Sequence, residues 1–232
     1  MIDGTMVDLD ELSPDEVQLH WERAYLRFES SEEEIAKFIS RLNYLGQAKW
    51  DRNLEIVEIF CGRGNGLKAL EVLGFTNIEG VDISERLASS YDGAGQIHVA
   101  DCRRLPFQSN SKDLIIVQGG LHHLVKIPED LDLVLSEVRR VLSPEGKLVM
   151  VEPWLTPFLK FAHFACSVGL VRRFFPKVDA LATMIHFESP TYSSWLNSRE
   201  TILEILGNHF LEIHFSLSLG KVRFIGRPRR LD

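Results

Sequence analysis

A strand that runs straight into three alternating glycines and then into a helix constrains this chain more than any other stretch. Ile56-Val57-Glu58-Ile59-Phe60 is β-branched and apolar apart from one acid, and it reads as a buried strand. Cys61-Gly62-Arg63-Gly64-Asn65-Gly66 turns the chain, and Leu67 to Leu73 has the propensity of a helix. In an open parallel sheet this succession brings backbone N–H groups and a helix N-terminus against a nucleotide-like ligand. Glycine is needed there because a side chain would hold the ligand off the backbone. The same residues are also compatible with a tight strand-to-helix turn that binds nothing.

At 232 residues the chain suits one large α/β domain with appended helices. Its 45% hydrophobic and 25% charged residues belong to a globular protein rather than a disordered or fibrous one. A net charge of -7 argues against a broad nucleic-acid footprint, so no nucleic-acid partner is expected. Cys61, Cys102 and Cys166 are scattered without CxxC spacing. They suit neither a zinc site nor a disulfide framework, and no metal is expected. Met1-Ile2-Asp3-Gly4 is acidic and opens no apolar signal core, and no uncharged run reaches the length of a membrane span. A cytoplasmic location is the expectation.

Two helices are announced before residue 50 by their caps. Ser13-Pro14-Asp15-Glu16 places a capping serine ahead of a first-turn proline with Glu16 three residues on, and Ser31-Glu32-Glu33-Glu34 repeats the capping box. Apolar residues follow at helical spacing: Val17, Trp21, Tyr25 and Phe28, then Ile35, Phe38, Ile39 and Leu42. Residues 1–50 are expected to form a helical cap across the mouth of a domain spanning 51–232. From residue 54 the pattern alternates, with strands at 54–60, 77–82, 96–100, 113–118 and 146–152 and helices near 66–73, 84–91 and 129–142. An aromatic helical insert over 153–197 interrupts it. A helix at 198–207 and strands near 209–216 and 221–226 close the chain, and the short turn at Leu219-Gly220-Lys221 makes the last strand antiparallel. The fold expected is a doubly wound, mostly parallel seven-stranded α/β sheet.

Acids fall where a ligand in such a sheet would use them. Asp82 ends the second strand in Gly80-Val81-Asp82-Ile83, in range of ribose hydroxyls, and Asp101 ends the third in Val99-Ala100-Asp101-Cys102. Either aspartate alone also suits a helix N-cap. The third glycine of the dinucleotide fingerprint is absent, since Leu67 stands there, and Glu58 before the turn suits a cationic group better than a pyrophosphate.

Together these motifs resemble the class I S-adenosylmethionine-dependent methyltransferases, over residues 54 to 152. Glu58-x-x-x-Gly62-x-Gly64 resembles the family's first motif. Lys112 to Gln118 followed by Leu121-His122-His123-Leu124 resembles its fourth strand and the segment after it. Leu135-x-x-Val138-x-Arg140-Val141-Leu142-x-Pro144-x-Gly146-x-Leu148 resembles the helix and fifth strand of its small-molecule group. The resemblance implies a Rossmann-like fold and S-adenosylmethionine as cofactor. It implies cofactor contacts from Glu58, Phe60, Gly62, Arg63, Gly64, Asp82, Ile83, Asp101, Cys102 and Gln118. Two positions depart from it: Phe60 stands where glycine is usual, and Arg63 where a small residue is common. Arg63 is left either to pair with the cofactor carboxylate or to face solvent.

Methyl transfer from a sulfonium asks the protein to align the acceptor and exclude water, and a base is needed only where the acceptor must lose a proton. His122 and His123 are the candidate bases, and that pair tilts the expected acceptor atom toward oxygen. Glu152, His186 and Glu188 are further candidate bases, and Trp21, Tyr25, Glu152, Trp154 and His186 are expected to line the acceptor pocket. Gln118-Gly119-Gly120-Leu121 replaces the Asn/Asp-Pro-Pro-aromatic sequence by which many nucleic-acid amino methyltransferases hold a base. The expected acceptor is therefore a small, partly apolar metabolite. The aromatic segment with its Trp, Lys and Arg flanks would suit an acceptor wall, peripheral contact with a membrane surface, or a homodimer interface. The alternative function is a non-catalytic methyltransferase-like partner protein, which Phe60 and Arg63 keep open.

Overall fold

A computed structural model describes residues 12–230. Met1 to Gly4, on which the expectation of no leader rests, lie outside them. Seven strands form one sheet in the order β3-β2-β1-β4-β5-β7-β6. They are β1 Ile56–Ile59, β2 Ile78–Asp82, β3 Gln96–Val99, β4 Lys112–Gln118, β5 Leu142–Pro153, β6 Phe210–Ser218 and β7 Lys221–Pro228. The first five pair in parallel, and β7 runs antiparallel to both β5 and β6. The order reverses between β1 and β4, so a crevice opens at their carboxyl ends.

The helices are α1 Pro14–Phe28, α2 Ser31–Tyr44, α3 Asn65–Val72, α4 Glu85–Ala88, α5 Glu129–Val141, α6 Pro157–Ser167, α7 Gly169–Phe174, α8 Pro176–Phe187, α9 Ser189–Asn197 and α10 Arg199–His209. On one face of the sheet the core packs α5 and α10 around Trp154 and Trp195; on the other, α2 and α3 cover Ile56, Leu114 and Val149. All four residues of β1 are buried, as a strand flanked on both sides requires. Among the described residues no helix is long and apolar enough to cross a membrane.

Three boundaries differ from the sequence pattern, each for a local reason. The second helix is capped by Ser30 with Glu33, not by Ser31 with Glu34. Either serine has a glutamate three residues on, and Glu34 is drawn instead into the site. The helix expected over 84–91 stops at Ala88, because the hydroxyls of Ser89 and Ser90 donate to the carbonyls of Arg86 and Leu87. Strand β5 begins at Leu142, which already pairs with Lys112 before a register shift brings Lys147 opposite Leu114. The insert is four helices, α6 to α9, rather than a single segment. Helix α1 packs on α8 of that insert, and α2 packs on α3.

Candidate functional site

The turn after β1 is set by backbone geometry. Phe60 has φ 57°, the left-handed region that a glycine enters freely and a bulky residue does not. Its ring has room because position 120 is glycine: a Cβ there would stand 2.3 Å from the Phe60 Cβ. Gly62 and Gly64 continue in the left-handed region with φ 53° and 76°. Gly66 serves a different end, since a Cβ there would meet the Glu58 carboxylate at 2.0 Å. The departure at Phe60 is thus accommodated without altering the backbone a glycine would give.

The acids divide by what already holds them. Glu58 is buried and accepts a hydrogen bond from the Gln118 amide at 3.2 Å, while its Oε2 and the Gln118 Oε1 have no partner. Burial pushes the Glu58 carboxyl up to about 8, with Gln118 only partly opposing it. Two unpartnered acceptors facing one cavity call for a donor, and an ammonium group supplies one; the amino-acid end of S-adenosylmethionine fits that requirement. Asp82 accepts from the Gly62 N–H at 2.7 Å and the Ser84 N–H at 2.8 Å, so it ties the glycine turn to the start of α4. Asp101 is clasped by the Arg103 guanidinium, which holds its carboxyl below the usual range and also reaches Asp130 at 2.9 Å. Cys102 is buried, and burial pushes its thiol up to about 12; Ile83 stands largely exposed beside it.

Arg63 is not turned to solvent. Its guanidinium lies over the Tyr25 ring and binds Glu34 at 3.0 Å and the Glu29 carbonyl at 3.2 Å. Glu34 also accepts from the Tyr25 hydroxyl at 2.5 Å and the Asn65 amide at 2.7 Å, which fastens α1 and α2 to the start of α3. Trp21 stacks on Tyr25 and meets His123 edge-on.

Past β4 the two histidines diverge. His122 is buried, with Nδ1 2.8 Å from Glu152 and Nε2 3.7 Å from Glu188. Glu152 is fully buried and accepts from the N–H groups of Gly120 and Leu121 at 2.8 and 2.9 Å. Burial opposes a charge on His122, but the two carboxylates outweigh it and hold the imidazole up at about 9. His123 is pushed the other way, to about 4, by burial and then by the charge on His122. His122, His123 and Glu188 also bring three possible metal-ligand atoms within 4.8 Å of one another.

Two cavities of about 420 and 390 Å³ meet at Trp21, Phe60, Leu87, His123 and Glu188, which line both. The first holds Asp82, Ile83, Asp101 and Cys102. The second holds Glu58, Gly62, Gln118, Tyr25 and His122, and it extends to an apolar wall of Leu159, Leu181, Met184 and Ile185. Gly64 lies behind the walls against Tyr91. Of the expected pocket residues, Glu152 sits behind His122, and Trp154 is 1% exposed in the core beneath Arg199. His186 meets Phe187 edge-on, outside both linings. Sequence reasoning missed Lys37, Arg41 and Lys221, which share the second cavity, and Arg103 in the first. Burial, then Arg41 and Lys37, brings the Lys221 amine down to about 7. The helical spacing of Glu34, Lys37 and Arg41 on one face of α2 was the available signal; Lys221 gave none.

Residues 57–150 match the methyltransferase domain family. The ubiquinone/menaquinone biosynthesis C-methyltransferase UbiE of Geotalea daltonii is 32% identical over 128 residues, which are 50% of this chain and 52% of that protein. The chain thus spans about half the length of that curated relative. Among solved structures, the PH0226 protein of Pyrococcus horikoshii superposes with a TM-score of 0.65 at 18% identity, over 90% of this chain and 98% of that one. The geranyl diphosphate C-methyltransferase of Streptomyces coelicolor, solved with Mg2+, geranyl diphosphate and S-adenosyl-L-homocysteine, gives 0.58 at 16% identity over 85% and 78%. These likenesses agree with the sheet order and the antiparallel seventh strand.

Proposed function

This chain carries a class I S-adenosylmethionine-dependent methyltransferase domain, and from that premise we propose that it methylates a small, largely apolar acceptor at carbon. One observation carries the reading: the two cavities lie side by side and share Trp21, Phe60, Leu87, His123 and Glu188 as walls, and only the first is lined by the strand-end acids Asp82 and Asp101. Asp82, Ile83 and Cys102 would hold the adenosine end of the cofactor, and Glu58, Gln118 and the Gly62 backbone its amino-acid end. When bound, S-adenosylmethionine supplies an electrophilic methyl group. The remaining space, walled by Leu159, Leu181, Met184 and Ile185, suits an apolar acceptor.

The histidine pair points to oxygen, but UbiE and the geranyl diphosphate enzyme are named C-methyltransferases, and the geometry suits carbon equally well. An acceptor bound as its enolate or phenolate would have its oxygen paired with the His122 imidazolium, braced by Glu152; that charge passes through carbon into the new bond to methyl as the sulfonium sulfur keeps the C–S electron pair. His123 is neutral at ordinary pH and faces both cavities, so it would take the proton that the carbon releases. A weak base suffices, because a carbon that has just gained a methyl group beside a conjugated system is a strong acid. Isothermal titration with S-adenosylhomocysteine, followed by transfer of labelled methyl to a panel of phenolic and enolic acceptors, tests the reading. Micromolar cofactor binding with label recovered on carbon is expected; absence of binding would overturn it.

A further inference from the structure

We propose that the outer face of α6 and α7 docks on an anionic lipid surface. No acidic residue stands between Glu152 and Asp179, in a chain carrying 33 of them, while Lys160, Arg172, Arg173 and Lys177 fall in that interval. Helix α6 turns Phe158, Phe161 and Phe164 outward, and the next turns add Leu170, Phe174 and Phe175. These six side chains are between 50% and 69% exposed. The opposite stripe of α6 is committed elsewhere: Leu159 lines the second cavity, His163 lies 3.1 Å from the Tyr192 hydroxyl, and Cys166 is buried.

Six exposed large apolar side chains on or at the ends of two successive helices mark a contact surface rather than the scattered single residues of an ordinary solvent-facing one. Charge selects the partner. Among the described residues neither Lys160 nor Arg173 has an acidic partner, so free positive charge rims the aromatic side chains. A second copy using the same face would bring no carboxylate to meet these cations, since α6 and α7 carry none. An anionic bilayer instead attracts the rim while the phenyl rings enter the headgroup boundary, and the Lys and Arg stems reach back to the phosphates. The face is the outside of the acceptor wall, because the helix that presents Phe161 to the exterior presents Leu159 to the cavity. Docking would therefore hold the acceptor cavity beside the phase in which an apolar acceptor dissolves, a consequence that rests on the function proposed above.

Sedimentation of the full chain with vesicles tests the docking alone, since neither cofactor nor acceptor is needed. With phosphatidylcholine and phosphatidylserine vesicles the chain should pellet, and with phosphatidylcholine alone it should remain largely in solution. Binding should fall as salt rises. Lys160→Glu with Arg173→Glu should weaken binding by about fivefold or more for each charge. Phe161→Ser with Phe164→Ser should abolish it, with an unchanged thermal melt showing that these exposed positions leave the fold intact. A chain that ignores anionic vesicles overturns the proposal. So does a concentration-dependent dimer that Phe161→Ser dissolves, since the face would then belong to a second copy. In either case cofactor binding and methyl transfer would be untouched.

Discussion

On the strand side of the crevice, the groups proposed to face the cofactor come from short pieces of contiguous chain: the turn 60–66, the end of β2 at Asp82, and Asp101 and Cys102 just past β3. On the helical side, the wall is assembled from α1, α2, α6, α8 and the 219–221 turn, which meet only in the folded molecule. The strand side places atoms through backbone geometry and a few bonds to N–H groups. The helical side depends on side chains bracing one another, as Tyr25 of α1 and Glu34 of α2 do, and the Glu152, His122 and Glu188 group joins that side to the strand ends. On the proposed function, the first arrangement would hold one ligand. The second can be rebuilt for another acceptor without disturbing the first.

The sharpest way to break that contrast is Glu152→Ala. It strips the N–H groups of Gly120 and Leu121 and the ring of His122 of their acceptor in a fully buried place. A loss of about 3–5 kcal/mol is expected in urea unfolding. A loss below about 1 kcal/mol would show that the network is not structural. Next in size, Asp82→Ala leaves the Gly62 and Ser84 N–H groups unpaired, and affinity for S-adenosylhomocysteine should fall about a hundredfold by titration. Met184→Ala acts on the other wall and should raise the acceptor KM about tenfold while leaving cofactor affinity within about twofold. If both affinities moved together, the two sides would not be separable. The smallest signal is a proton. In the free protein Glu58 is held up at about 8, so near pH 7 it is mostly protonated, and pairing with an ammonium group lowers that value. Cofactor binding should then release a fraction of a proton, measured by titration in buffers of different ionisation enthalpy, and Glu58→Gln should abolish the release.

The same contrast decides what could be read from the sequence. The seven strands, the antiparallel direction of the last and the acids near the ends of β2 and β3 were legible because each depends on a few neighbouring residues: β-branched runs, glycines, a short turn, and acids after strands. Lys221 and Arg41 were not, because nothing local links a residue in a β-turn to one on the second helix; only packing puts both into one cavity. That Arg63 pairs with Glu34 was not legible for the same reason, since that partner lies 29 positions away on a helix that sequence could not dock. Trp154 looked like a pocket aromatic and is a core residue, because the start of α10 closes over it. Even the α2 cap turned on a tertiary fact, as Glu34 was wanted elsewhere.

Phe60 and Gly120 share a single space, and this has a bearing on how the chain can change over time. Alanine at 120 would place its Cβ 2.3 Å from the Phe60 Cβ, whereas glycine at 60 is already suited to the left-handed backbone. The tolerance of one position is therefore conditional on the other. A lineage can move to glycine at 60 and afterwards accept a methyl group at 120, but the reverse order passes through a clash. The packing of two residues thereby orders the mutational routes into and out of this crevice.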